Sequence, residues 1–448
     1  SGSTYLVNVY DHQGRVVSQR DAEGTERRFV YEAGRTVYTD NEGRRSVFGF
    51  DYRYRITSVE NPAGQVARWE FDARGDVTAH TDEAGRTTRY VYDAAGNLTS
   101  ETDAAGHETR YTSTPSGQVA SRTDALGRTW AYTYDARGLV TGEDRPDGTT
   151  TRYEYTPGGD LSAAIAPSGA RTRYEYDARG NLTTLIDPLG QRTAYAYDAS
   201  NRLTAVTDPL GAVTTWEWDA GDRIVATVDP TGARTTFTYD RNDNLTSATD
   251  ATGAVTRYEW DALLRMVKTI AADGGETRYA YDREDNLVSS TDPEGATTQL
   301  LLDAAYRETG VVDPNGGRWE QEVDATGIPT AVTDAAGAVT SLALDELGRT
   351  VKTTDPTGVS TSVTYDEVGR VATETDTAGG VTAYAYDALD RVTKVTDPAG
   401  YASEFVYDID GNLVGTIDRL GNPTLFEVDA AGQVVAMTDA TGAVEHYE

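Results

Sequence analysis

Carboxylates offer this chain most of its chemical potential: aspartate and glutamate number 72, against 40 lysines and arginines. Two carboxylates about 5–10 Å apart in unlike surroundings meet the minimum for glycoside hydrolysis. The aspartates recur at fixed intervals among turn residues, however, so capping of turns explains them without catalysis. Asp408-Ile409-Asp410-Gly411-Asn412 has the acidic beginning of a calcium loop. Leu413 stands where the loop needs its glycine, and no glutamate occupies the twelfth position. The histidines His12, His80, His107 and His446 are scattered and form no two-histidine helical motif, which gives surface or turn roles and no metal site. Asn97-Leu98-Thr99, Asn181-Leu182-Thr183 and Asn244-Leu245-Thr246 fit the glycosylation pattern but arise from a repeated turn sequence. Phosphate-cradling loops, nucleophile elbows and dinucleotide fingerprints are missing, so no catalytic residue, cofactor or metal is assigned. Trp216, Trp218, Trp260 and Trp319 are the residues that could stack on sugars.

The elements that carry these residues follow from one period. Asp177, Asp198, Asp219, Asp240, Asp261, Asp282 and Asp303 are spaced by 21 residues, and the spacing extends in both directions to give 21 copies. A single step, Glu32 to Asp51, is two residues short. In the copy Thr193-Ala194-Tyr195-Ala196-Tyr197-Asp198 the Thr/Tyr/Tyr alternation has period two, which puts those three side chains on one face of a strand. Leu203 to Thr207 is the return strand.

Two turns punctuate each copy. Three residues after the aspartate, 12 copies place glycine, as at Gly180, and five place Asn or Asp, as at Asn201; these are residues that accept positive φ. Tyr54, Leu264 and Tyr306 break that rule, and their turns are expected to be wider or strained. The second turn ends on glycine in every copy, often within Asp-Pro-x-Gly, as in Asp187-Pro188-Leu189-Gly190 and Asp208-Pro209-Leu210-Gly211. The prediction is an all-β fold: an antiparallel strip of about 42 strands of about seven residues, whose accumulated twist makes it coil. Residues 1–3 read as a tag remnant, and residues 4–448 as one continuous array cut within a repeat at its C-terminal end. Between about Leu300 and Leu344 the aromatic–Asp pairs become Leu302-Asp303, Val323-Asp324 and Leu344-Asp345, for which either dry packing against another coil turn or repeat drift accounts.

Composition narrows the function. With 38% hydrophobic residues and 28 tyrosines against 7 phenylalanines, the chain suits a thin, solvated β layer. A formal charge of −32 disfavours nucleic-acid and anionic-lipid binding. No cysteine is present, which removes disulfides and thiolate chemistry, and no stretch approaches the roughly 20 apolar residues of a membrane span.

Tyr92-Asp93-Ala94-Ala95-Gly96-Asn97-Leu98, Tyr176-Asp177-Ala178-Arg179-Gly180-Asn181-Leu182 and Tyr365-Asp366-Glu367-Val368-Gly369-Arg370-Val371 resemble the YD repeats of the Rhs family, shared with B and C components of insecticidal toxin complexes and with teneurins. The resemblance implies a strip that spirals into a hollow shell around a C-terminal toxin or effector polypeptide, in a secreted or cell-surface bacterial protein. It implies no enzyme in the repeats themselves; the self-cleaving segment with which family shells often end is not recognisable in this sequence. The alternative is an extracellular adhesion module that binds a cell-surface glycan through the tryptophans.

Overall fold

The computed structural model describes residues 6–22 and 24–447. The tag reading of residues 1–3 and the last residue of the array lie outside them. Among the described residues there are 43 strands and no helix. Each strand pairs antiparallel with the next in the chain, as Arg192–Tyr197 does with Leu203–Thr207, and that strand with Val213–Trp218. Outgoing strands mostly have six residues and return strands five, shorter than the expected seven, because each turn takes residues that the sequence pattern leaves undivided. Two compact units result: one from Ser1–Tyr90, Glu217–Val228 and Gly232–Gly358, the other from Val91–Trp216, Asp229–Thr231 and Val359–Glu448.

The expected face is present. Thr193, Tyr195 and Tyr197 are half-buried, whereas Arg192, Ala194 and Ala196 between them are exposed. No thick core forms among the described residues, where the buried apolar ones are Val37, Ile186 and six alanines, including Ala163 and Ala226. Two of these alanines, Ala163 and Ala226, have a steric reason. On the face opposite the tyrosines, Glu154 and Arg171 form a bidentate ion pair that spans the return strand Leu161–Ile165, and Ala163, opposite Glu154, lies beneath it. Glu217 and Arg234 do the same across the strand that holds Ala226. A larger side chain would part each pair.

Both turns of a copy use one device. The backbone N–H groups of Ser200 and Arg202 donate to Asp198 Oδ1 at 2.8 and 3.0 Å, and those of Leu210 and Ala212 donate to Asp208 Oδ1 at 2.9 and 2.8 Å. The fourth turn residue takes positive φ, 64° at Asn201 and 85° at Gly211. Tyr54, Leu264 and Tyr306 adopt φ of 62°, 64° and 65° and keep the same turn hydrogen bond, so their turns are strained but not wider. The first turn is preceded by a bulge. Ala196 faces Ala205 and Tyr197 faces Leu203, which leaves Thr204 as the extra residue, and its hydroxyl donates to the Ala196 carbonyl at 3.1 Å. The Asn-Leu-Thr sequences have the same explanation: Thr183 donates to the Glu175 carbonyl, and the Asn181 amide donates to Asp177 Oδ2.

Candidate functional site at the turn edges

The turns form two rows, one on each long edge of the strip, and the functional side chains lie along them. In the first-turn row, Tyr176 precedes Asp177, which accepts from the Arg179 and Asn181 amides at 2.8 and 3.0 Å, while Gly180 takes φ of 87°. The Asn181 side chain and amide hold the Asp177 carboxyl below its usual range, and Arg202 does so for Asp198. In the second-turn row, Asp187 accepts from the Leu189 and Gln191 amides at 2.9 and 2.8 Å, ahead of Gly190 at φ of 84°.

Neighbouring copies are tied through the tyrosine before each first-turn aspartate. The Tyr176 hydroxyl donates to the Leu161 carbonyl, 15 residues earlier, at 2.9 Å; Tyr155, Tyr281 and Tyr407 repeat the contact. The accepting carbonyl belongs to the first residue of the preceding return strand, which pairs onward only from its third residue, Ala163. Tyr197 holds the same place, and burial raises its hydroxyl pKa. Where Val323 replaces the tyrosine, Gln321 Nε2 donates to the Glu308 carbonyl in its stead. Arginines four residues after the aspartate add a second tie: Arg265 bonds Asp261, reaches Asp285 Oδ1 at 2.9 Å and lies over the Tyr281 ring.

The sequence reading missed a third contact, in which the two edges meet. In the first unit, Arg44 Nη1 donates to the carbonyls of Asp303 and Ala304 at 2.8 and 3.0 Å, and its guanidinium lies 4.1 Å from the centre of the Tyr306 ring. The Tyr306 hydroxyl donates to Asp40 Oδ2 at 2.6 Å, and burial together with this bond raises its pKa. Arg86 Nη1 meets Asp324 Oδ2 at 3.1 Å, and its Nη2 donates to the Thr326 hydroxyl. The Asn41 side chain donates to the Arg283 carbonyl beside Glu284, whose carboxyl burial pushes up. In the second unit, Arg128 Nη1 donates to Asp390 Oδ1 at 2.5 Å, and the Ser168 amide donates to Asp410 Oδ1 at 2.8 Å. Each contact sets a second turn of an early copy against a first turn of a late one, at sequence separations of 238 to 266 residues. Among the described residues, the buried charged side chains are Asp40 and Asp124, the turn aspartates beside Arg44 and Arg128. A signal was present in the sequence: Arg44, Arg86 and Arg128 close second turns at 42-residue intervals, one in every second copy.

The remaining candidates are dispersed. Trp260 occupies a tyrosine position and spends its indole N–H on the Leu245 carbonyl at 2.8 Å. Trp216 and Trp218 are half-buried in Val213–Trp218, and Trp319 is exposed in Arg318–Val323. The four do not form one stacking row: Trp218 and Trp260 share the position before the aspartate but lie two copies apart, and Trp216 and Trp319 occupy other positions. Asp408 caps its own turn and Asp410 bonds Ser168. His107 Nδ1 lies 3.0 Å from Asp103, and His80 stacks on Trp69. The edge contacts around residues 303–326 are polar.

A family model described as RHS Repeat matches residues 10–45, 71–109, 114–150, 155–193, 176–212, 197–235 and 218–255, and one described as Teneurin YD-shell matches residues 248–446. The chain belongs to the Rhs/YD-repeat family. Solved structures agree on the fold of this YD array. The crystal structure of TcdB2-TccC3-TEV is 14% identical, with a TM-score of 0.67 over 98% of this chain and 30% of that one. For TcdB2-TccC3-Cdc42 the identity is 15% and the TM-score 0.67, over 98% and 27% of the two chains. TcdB2-TccC3 is 14% identical, with a TM-score of 0.62 over 95% and 32%. The YD array thus spans less than a third of the chains it resembles. No curated protein sequence matches it. No helix among the described residues is long and apolar enough to cross a membrane.

Proposed function

We propose that residues 4–448 form a continuous, non-catalytic scaffold, a segment of an Rhs-type shell that shields a C-terminal toxin or effector polypeptide before delivery from a secreted or cell-surface protein. The observation that carries this reading is the arginine contact between early second turns and late first turns within each unit. A strip held only by strand pairing would remain an open ribbon, whereas edges that fasten to one another make a wall. The turn aspartates have structural partners, which supports a scaffold over a hydrolase. The test is limited proteolysis of the natural chain carrying its C-terminal polypeptide, with the free polypeptide in parallel. Protection of the attached form is expected, with loss of protection when Arg44, Arg86 and Arg128 are all replaced by alanine. Equal digestion of attached and free polypeptide would overturn the proposal.

A further inference from the structure

Arg44, Arg86 and Arg128 follow one another by 42 residues, and the next place in that series is Ala170. The turn it closes, Ala166-Pro167-Ser168-Gly169, also lacks the aspartate with which Arg86 and Arg128 pair in their own turns, Asp82 and Asp124. Both members of an ion pair are therefore missing at the fourth place. Early and late turns still meet there, through the Ser168 amide and hydroxyl, which donate to Asp410.

The missing pair leaves a cavity of ≈ 320 Å³, at the small end of ligand sites, with Arg145, Ala170, Asp410, Asn412, Ala430 and Gly432 in its walls. One wall matches the seats of the three arginines. Ala430 holds the register of Ala304 and Ala388, whose carbonyls accept from Arg44 and Arg128 at 3.0 and 3.3 Å. Gly432 holds that of Gly348, against which Arg86 lies so closely that a β-carbon would collide with it; at Gly432 the Asn412 carboxamide oxygen, an acceptor, borders the equivalent spot. The cavity also contains a cation without a carboxylate. Arg145 stands where neighbouring turns have aspartate, its Nη2 donates to the Thr151 hydroxyl at 2.7 Å, and its Nε is buried without a partner. No carboxylate lies at ion-pair distance from it among the described residues, which leaves a half-buried guanidinium uncompensated.

We propose that this cavity binds a small guanidino carboxylate, such as free arginine, with its guanidinium on the Ala430 carbonyl, Asn412 and Asp410 and its carboxylate on Arg145. The molecule replaces the two charges that Ala166 and Ala170 do not supply. Asp410 can accept it while keeping the bonds from Ser168, since a carboxylate has about four acceptor sites. A ligand with only a positive charge would be repelled by Arg145, and one with only a negative charge by Asp410, whereas a guanidinium and a carboxylate on one molecule each meet a charge-assisted partner. This proposal does not require the shell to hold cargo.

The probe is guanidinobutyrate, titrated calorimetrically into the full chain, with ethylguanidinium and butyrate as its separate halves. Saturable binding of the probe is expected, with each half at least tenfold weaker. Ala170→Arg, which fills the seat from within, should abolish binding, and Arg145→Gln should weaken it at least tenfold. In the unaltered chain the probe should slow amide exchange in residues 408–412 and 429–432 and leave residues 324–328 unchanged, because Arg86 already occupies the equivalent seat there; this measurement needs no variant. Absence of saturable binding, undiminished binding by Ala170→Arg, equal affinity for ethylguanidinium and the whole probe, or equal protection of residues 324–328 would each overturn the proposal.

Discussion

Replacing Arg86 with alanine isolates one fastening between edges. Arg86 bonds Asp82 in its own turn, Asp324 at 3.1 Å and the Thr326 hydroxyl, and its side chain is 18% exposed. A hydrogen bond to a charged group contributes about 1.5–3 kcal/mol, and an exposed ion pair about 0–1 kcal/mol. This partly buried contact belongs with the former, so loss of its distant half should cost about 2 kcal/mol. Repeat arrays sum local terms, and the loss should therefore appear as local opening more than as a large drop in the melting temperature. Two kcal/mol corresponds to roughly 30-fold faster amide exchange where opening limits exchange. Hydrogen-exchange mass spectrometry should show this acceleration in residues 324–328, far along the chain from the substitution. Arg55→Ala is the comparison, since Arg55 bonds Asp51 and the adjacent Asp72 carbonyl; its effect should remain near residues 51–76. Unchanged exchange at 324–328 in Arg86→Ala, or equal acceleration there in Arg55→Ala, would refute the reasoning.

Ala163→Leu should destabilise by about 1–3 kcal/mol through overpacking beneath the Glu154–Arg171 pair, read as a lower urea midpoint; an unchanged midpoint would mean that the pair moves aside freely. Tyr176→Phe removes the bond to the Leu161 carbonyl and should cost about 1 kcal/mol, with faster exchange in residues 161–165; a neutral result would show that water satisfies that carbonyl. The carboxyls of Asp177 and Asp198 are held below their ordinary range, so their contribution is full above about pH 4 and fades as pH falls through the lowered native values. Glu284, raised by burial, acts oppositely, favouring the native state below the ordinary carboxyl range and losing that effect as pH rises. The many capped aspartates should dominate, so the melting temperature is expected to fall between pH 5 and 2; a flat profile by circular dichroism would contradict this.

The sheet was readable from sequence because each copy states its strands and bends locally: Thr193, Tyr195 and Tyr197 alternate, and Gly190 and Gly211 close turns. Strand lengths were less readable, since the bulge at Thr204 depends on pairing with Ala196. Tyr176 was legible as a strand residue but not as a donor to Leu161, because its acceptor is defined only when the preceding return strand leaves a carbonyl over. The edge contacts were hardest. Their partners are more than two hundred residues apart, and curvature, which no single copy encodes, decides which turns meet. Arg44, Arg86 and Arg128 share a 42-residue period, but nothing in the sequence named Asp303, Asp324 and Asp390 as their destinations.

The alternate-copy rhythm of Arg44, Arg86 and Arg128 constrains how such a chain evolves. Most solenoids gain or lose a unit at little cost, because each unit touches only its neighbours. One unit added between Arg86 and Asp324 would carry the aspartate two strands along, about 10 Å, beyond the reach of its arginine. The number of units between the two residues is therefore itself an inherited trait, and length changes are expected outside that interval or in whole sets that restore the phase.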